Sequence, residues 1–379
     1  MNGYCSDVVS AFRAEGRLRS LPQECAGVYL DFSSNDYMGI AANAELTRKF
    51  IAGLSPAAKF TSSASRLLSM EQKEHVALES WLERVYGKSA LLFNSGYHAN
   101  VGCVSALAAP GTVIVADKLV HASIIDGLKL SGASFRRFKH NDLVSLHREL
   151  DKAYAEAERV IVIVESIYSM DGDEAPLCEI VALKREFPHM LLYVDEAHAL
   201  GVRGLHGLGV CEETGVLSDV DIIIGTFGKA VGSTGAFVAT SSELKEYLLN
   251  TARSFIFSTA LPPVNVAYTH YVLKQLYNMQ DERRYLAELS NRFRHGLELL
   301  TGNSCVSHSQ IVPLMAGSNE RAVTLSAKLR ESRILALPIR CPTVAAGTER
   351  LRFSLSTAMN VSDIDMTLDK LASVLKSVS

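Results

Sequence analysis

Five stretches of almost unbroken apolar residues, 90–93, 113–116, 160–164, 191–194 and 222–224, most constrain what this chain can fold into. They are rich in β-branched residues, too short for helices, and several are separated by stretches with helical spacing. Strands of this kind are buried on both faces, which requires a sheet covered by helices on each side. Residues 55 to 260 or so are therefore predicted to form an α/β domain around a mixed, mainly parallel sheet. In such sheets ligands collect at the carboxyl ends of the strands. After about residue 285 the pattern changes. Helical spacing at 286–300, 320–331 and 362–377 and strand patterns at 310–315 and 351–355 predict a smaller α+β C-terminal domain. The division expected is 1–54 for an N-terminal helix and short strand, 55–284 for the large domain and 285–379 for the small one.

Every apolar run ends in polar chemistry. After 90–93 come Asn94, Ser95, Gly96 and Tyr97 at the start of a helix, whose free N–H groups suit a phosphate. His121 follows the second run, and Ser166 and Ser169 the third. Asp195 and His198 follow the fourth, and Thr226 and Lys229 the fifth. Singly, Asp195 reads equally as a helix cap, His198 as a satisfied histidine, Ser169 as a turn residue and Lys229 as the start of a loop. Together they supply a phosphate nest, an aromatic ring, an aspartate, two histidines and an amine nucleophile. That set matches pyridoxal phosphate chemistry, in which a Schiff-base lysine works with an acid on the pyridine nitrogen. The glycines at 225, 228, 232 and 235 let backbone pass close to a bound group.

Composition narrows the class further. The 379 residues carry 38 Lys and Arg against 41 Asp and Glu, net −3. This balance gives no electrostatic reason to expect a nucleic-acid partner. Seven cysteines are scattered without a CxxC pair, as expected of reduced cytoplasmic thiols rather than a disulfide framework or zinc site. The first twenty residues mix charges among apolar side chains, so neither signal peptide nor membrane span is expected. Asp195-Glu196-Ala197-His198 lacks the histidine pair of a zinc-protease helix, and no metal site is expected. GLHGLG at 204–209 does not follow a strand as a dinucleotide fingerprint would, GTFGKA lacks the first glycine of a phosphate-binding GxxxxGK[ST] loop, and no GxSxG elbow is present.

SSNDYMGI, FNSGYHAN, LVHAS, ESIYSMDGD, VDEAHALGVRG, TFGKAVG, FSTALPP and PTVAAGTERLR, in this order and spacing, resemble the α-oxoamine synthase family, pyridoxal phosphate enzymes of fold type I. The resemblance runs from about residue 5 to 375. It implies a homodimer with active sites at the interface that condenses a small amino acid with an acyl thioester and loses carbon dioxide. Carried over by position, it makes Lys229 the Schiff-base lysine and the base for the α-proton. His121 stacks on the ring and contacts substrate, Asp195 pairs with the ring nitrogen, and His198 and Ser169 hold the phenolic oxygen. Thr226 contacts the phosphate, Gly96 and Tyr97 line the cofactor, and Ser258 and Thr259 belong to the segment that reaches the partner's phosphate.

At the substrate end, the resemblance makes Arg352 the grip on the amino acid carboxylate, a task suited to a planar bidentate donor. The segment 338–344, with Arg340 and Thr343, is similar to that of the member taking L-alanine and a pimeloyl thioester, as CoA or carrier-bound. Arg19, after Leu18, fits the same member. TSSASR at 61–66 stands where relatives carry a glycine-richer GSGGSR, and Cys341 replaces a proline. Glycine or serine with another acyl-CoA is the alternative pair. A catalytically dead subunit of this fold is the reading from outside enzymology, and the intact Lys229, Asp195, His121 and His198 argue against it.

Overall fold

A computed structural model describes residues 2–19, 21, 29–70 and 72–378, so Cys25 lies outside the described residues. The strands in chain order are β1 (Leu30–Asp31), β2 (Ser89–Phe93), β3 (Thr112–Asp117), β4 (Ser134–Phe138), β5 (Arg159–Glu165) and β6 (Met190–Asp195), then β7 (Ile222–Thr226), β8 (Ala236–Thr240), β9 (Ile311–Met315), β10 (Ile334–Leu335), β11 (Leu337–Ile339) and β12 (Arg350–Ser354). The chain divides into two compact units. The larger holds Asn35–Ser169 and Glu174–Arg284, and the smaller Met1–Ser34, Met170–Asp173 and Tyr285–Ser379.

The larger unit is built on a seven-stranded sheet, order β2-β8-β7-β6-β5-β3-β4. Its central strands β3, β5, β6 and β7 run parallel, while β8 lies antiparallel between β7 and β2. All five predicted apolar runs are strands here, and β3 and β7 are buried along their whole length. Their side chains pack against helices such as Gly96–Leu107 and Ala122–Ser131, through Cys103, Val104, Ile124 and Leu128, each 0–1% exposed. At the β7–β8 pair Gly225 faces Phe237, and a Cβ on Gly225 would lie 2.2 Å from the Phe237 ring. Only a glycine lets the ring lie flat across the strand at that position.

Two strands of this sheet lie outside the five apolar runs. β4 (SFRRF) is an edge strand whose Arg136 reaches Glu149 and Glu156, so one face only needs to be apolar. β8 sits within the glycine-rich stretch around Lys229 and is a return strand without a crossover.

The smaller unit contains a three-stranded antiparallel sheet, order β11-β12-β9, and the parallel pair β1–β10. Phe32, Phe293 and Phe353 form its aromatic centre, with ring centroids 5.0–5.6 Å apart. Helices Asn319–Glu331 and Val361–Ser377 cover it, the second begun by a capping box between Asn360 and Asp363. Gly172, at φ +69°, sits so close to Ile311 O that a Cβ would be 2.0 Å from it.

The N-terminus departs from the sequence reading. The N-terminal helix expected within 1–54 covers only Asn2–Ala14, and Gly16 just beyond it takes the left-handed conformation at φ +64°. The expected short strand is β1, and after it the Asp36 carboxylate turns the chain by accepting the N–H groups of Ile40 and Ala42. Residues up to Ser34 join the C-terminal unit, through β1–β10 pairing, instead of standing apart as part of a 1–54 segment.

Candidate active site

The carboxyl ends of the larger unit's strands gather the residues singled out above. Lys229 lies three residues past β7, half-buried, with Nζ 2.8 Å from His198 Nε2. His198 Nδ1 in turn lies 2.7 Å from the Tyr37 hydroxyl, so the imidazole is held from both sides. Its 5% exposure means this pair sits inside the protein.

Asp195 ends β6 and is 4% exposed. Its Oδ2 accepts the Asn100 side-chain N–H at 2.7 Å and its Oδ1 the backbone N–H of Ala197 at 2.9 Å. Asn100 comes from the second turn of the helix Gly96–Leu107. Its Oδ1 accepts the Tyr193 hydroxyl at 2.6 Å, and its amide also donates to Ser123 Oγ at 3.0 Å. This fixes the amide so that its N–H faces Asp195.

Ser123 Oγ continues the chain to His121, 2.7 Å from Nδ1. His121 caps the helix Ala122–Ser131 by accepting the backbone N–H of Ser123 at Nδ1, which leaves the neutral ring's proton on Nε2. The residue is solvent-accessible, yet the protein behind the ring holds its pKa below the ordinary histidine value. Desolvation is the main cause, and Lys229 pushes the same way against the opposing pull of Asp195.

A second cluster surrounds the start of the helix Gly96–Leu107. Ser95 caps it by accepting the N–H of His98, and Gly96 packs directly on Thr226, where a Cβ would stand 3.4 Å from Thr226 Cβ and Oγ1. Asn94 donates to Ser258 Oγ and to Thr259 O, both at 2.7 Å. Hydroxyls of Ser95, Thr226 and Ser258 thus stand around a helix N-terminus, a donor set that fits a phosphate. The Tyr97 hydroxyl donates to Asp126. Ser169, half-buried, follows β5 by four residues. With the acid at β6, the lysine after β7 and this anion cradle, the residues present fit pyridoxal phosphate.

Of the five residues expected to contact substrate, His121 is in the larger unit and Arg19, Arg340, Thr343 and Arg352 are in the smaller one. Arg19 donates to Thr343 Oγ1 at 3.2 Å and Arg340 to the Gly16 carbonyl at 2.8 Å, which brings the segment after the first helix against residues 340–343. Arg352 is buried in the central strand β12, at 7% exposure. Its neighbour Arg350 pairs with Asp171.

Sequence reasoning gave no role to Tyr37, Asn100, Ser123 and Tyr193, although all four lie in segments already singled out. A polar Asn100 in an otherwise apolar turn was the one available signal. Among the described residues no cluster of His, Cys, Asp and Glu is arranged to hold a metal, and no helix is long and apolar enough to cross a membrane.

Fold and site together define a fold type I pyridoxal phosphate enzyme. The chain belongs to the aminotransferase class I and II family, whose model matches residues 28–371, and within it to the α-oxoamine synthases. A putative 8-amino-7-oxononanoate synthase from Pasteurella multocida (strain Pm70) is 45% identical over 375 residues, covering 96% of each chain. The serine palmitoyltransferase of Sphingomonas wittichii superposes with a TM-score of 0.89 at 30% identity, over 99% of this chain and 97% of that one. A structure described as SPT with PLP gives 0.84 at 30% identity, over 92% and 88%.

Proposed function

We propose that this protein condenses L-alanine with a pimeloyl thioester, CoA or carrier-bound, releasing carbon dioxide and forming 8-amino-7-oxononanoate for biotin synthesis. The observation that carries the chemistry is the Lys229–His198 contact beside an Asp195 carboxylate that accepts two N–H groups. The choice of substrates rests on the 45% identity to a protein of that name, against 30% to a serine palmitoyltransferase.

The cofactor is pyridoxal 5'-phosphate, which when bound supplies an electron sink for charge developing at the amino acid's α-carbon. Lys229 holds it through its amine and then takes the α-proton at Nζ. Asp195, oriented by Asn100, keeps a proton at the ring nitrogen. His121, neutral with a proton on Nε2, covers the ring face and donates toward substrate. His198, fixed by Tyr37, serves the phenolic oxygen with Ser169. The start of the helix Gly96–Leu107 with Tyr97, together with Thr226, Ser258 and Thr259, takes the phosphate. Arg352 grips the amino acid carboxylate, while Arg19, Arg340 and Thr343 serve the far end of the acyl chain. The working unit is a homodimer.

Spectra of the purified protein with alanine, serine and glycine, followed by a panel of thioesters, test this reading. An alanine-specific spectral change and turnover with the pimeloyl thioester are expected. Preference for serine with a long uncharged acyl-CoA would replace the substrate assignment and leave the cofactor chemistry in place.

A further inference from the structure

β5 and β6 run in register to their carboxyl ends, where Glu165 stands opposite Asp195. Both side chains are inside the protein, 3% and 4% exposed. Two neighbouring buried carboxyls do not both ionise without a large repulsive cost. Their hydrogen-bond donors decide which keeps the charge. Asp195 has an N–H on each oxygen, from Asn100 and Ala197. Glu165 receives the backbone N–H of His121, while its Oε1 meets no donor among the described residues. An undonated carboxylate oxygen in the interior costs far more than a neutral carboxyl in the same place.

We propose that Glu165 carries the proton and Asp195 the charge, so that the pair holds one negative charge, and that neutral Glu165 is a positioning residue that pins the His121 backbone. The charges facing Glu165 are Asp195 from β6, Asp117 from β3 and Lys229 from the segment after β7. Burial, then Asp195, drive its pKa well above the usual carboxylate range, and the opposing effects of Lys229 and the His121 N–H do not reverse this. An ionised Glu165 would add a second negative charge near Lys229 and favour the ammonium form over the nucleophilic amine. The proton allocation stands on the protein alone, and its bearing on the cofactor rests on the reading of Lys229 and Asp195 above.

Glu165→Gln, a neutral isostere that still accepts the His121 N–H, and Glu165→Ala, which cannot, separate these roles in the holoenzyme. Infrared difference spectra of wild type against E165Q near neutral pH are expected to show a protonated-carboxyl band that E165Q lacks. E165A is expected to lose about tenfold in kcat/KM, as for one lost hydrogen bond to the site's backbone, and E165Q to recover most of it. Absence of the band, or E165Q as impaired as E165A with a shifted pH profile, overturns the proposal. So does failure of E165Q to fold, because exchanging one neutral group for another of the same shape does not unfold a protein. A colourless protein that still shows the band would support the proton allocation while removing the cofactor reading.

Discussion

The amine of Lys229 lies 2.8 Å from Nε2 of His198, at hydrogen-bond distance from a ring whose other nitrogen is anchored on the Tyr37 hydroxyl. Lys229→Ala is expected to abolish turnover by at least the roughly 10²–10⁴-fold that a positioned proton-transfer group contributes. The check is α-proton exchange of alanine in D₂O, with borohydride reduction of the wild type fixing the chromophore to Lys229. A protein that stays colourless with added pyridoxal phosphate would sink the reading.

Asp195→Asn removes a charge while keeping the shape. Loss of one strong charge-assisted hydrogen bond, about 1.5–3 kcal/mol, predicts a ten- to hundredfold fall in kcat with a much smaller change in cofactor affinity. Asn100→Ala should follow in the same direction, because it takes one of the two N–H donors from Asp195 and strands the Tyr193 hydroxyl. Stopped-flow kinetics with cofactor titration separate the two effects.

Arg340→Ala is expected to raise KM for the pimeloyl thioester about tenfold or more while leaving the alanine-induced spectral change intact. A short uncharged acyl-CoA should be affected much less. Equal loss with both thioesters would assign Arg340 to holding the Gly16 carbonyl instead.

His75, 1% exposed, has its pKa lowered to about 4 by burial and by the charge of Arg66. An unfolded histidine titrates near 6.5, so between those values the unfolded chain binds the extra proton and the native state does not. Stability should therefore rise with pH across this window and be lost as pH falls from about 6.5 toward 4, by up to about 1.4 kcal/mol per pH unit for this one group. Chemical denaturation of His75→Gln across the same range should show a shallower slope.

Gly225→Ala tests the packing of β7 on β8. With the Phe237 ring 2.2 Å from the new Cβ, a cost of roughly 1–3 kcal/mol is expected from denaturant midpoints. Phe237→Leu in the same chain should recover part of it, since the clash is with the ring alone.

What could be read from the residues follows from where burial is complete. β3, β5, β6 and β7 are covered on both faces, so their composition announces them, and the polar residues that end them mark the site. β4 was silent because an edge strand with Arg136 and Arg137 looks like a solvated loop. β10 and β11, two and three residues long, carry too little pattern to register. Asn100, Ser123 and Tyr37 owe their roles to partners 23 to 161 residues away, a distance no local pattern encodes. The Glu165–Asp195 pairing depends on strand register, which only the folded sheet supplies.

The path of the chain between its two units bears on how it can be made and cut. It leaves the smaller unit after Ser34, returns for Met170–Asp173 alone, and returns finally at Tyr285. On the ribosome β1 emerges first but waits for β10, roughly three hundred residues later, so the smaller unit stays unfinished until synthesis is nearly complete. No single cleavage releases either unit whole. A fragment starting at Tyr285 lacks both the β1 partner of β10 and the Gly172 turn that seats against Ile311 O, so expressed alone it should aggregate or remain unfolded.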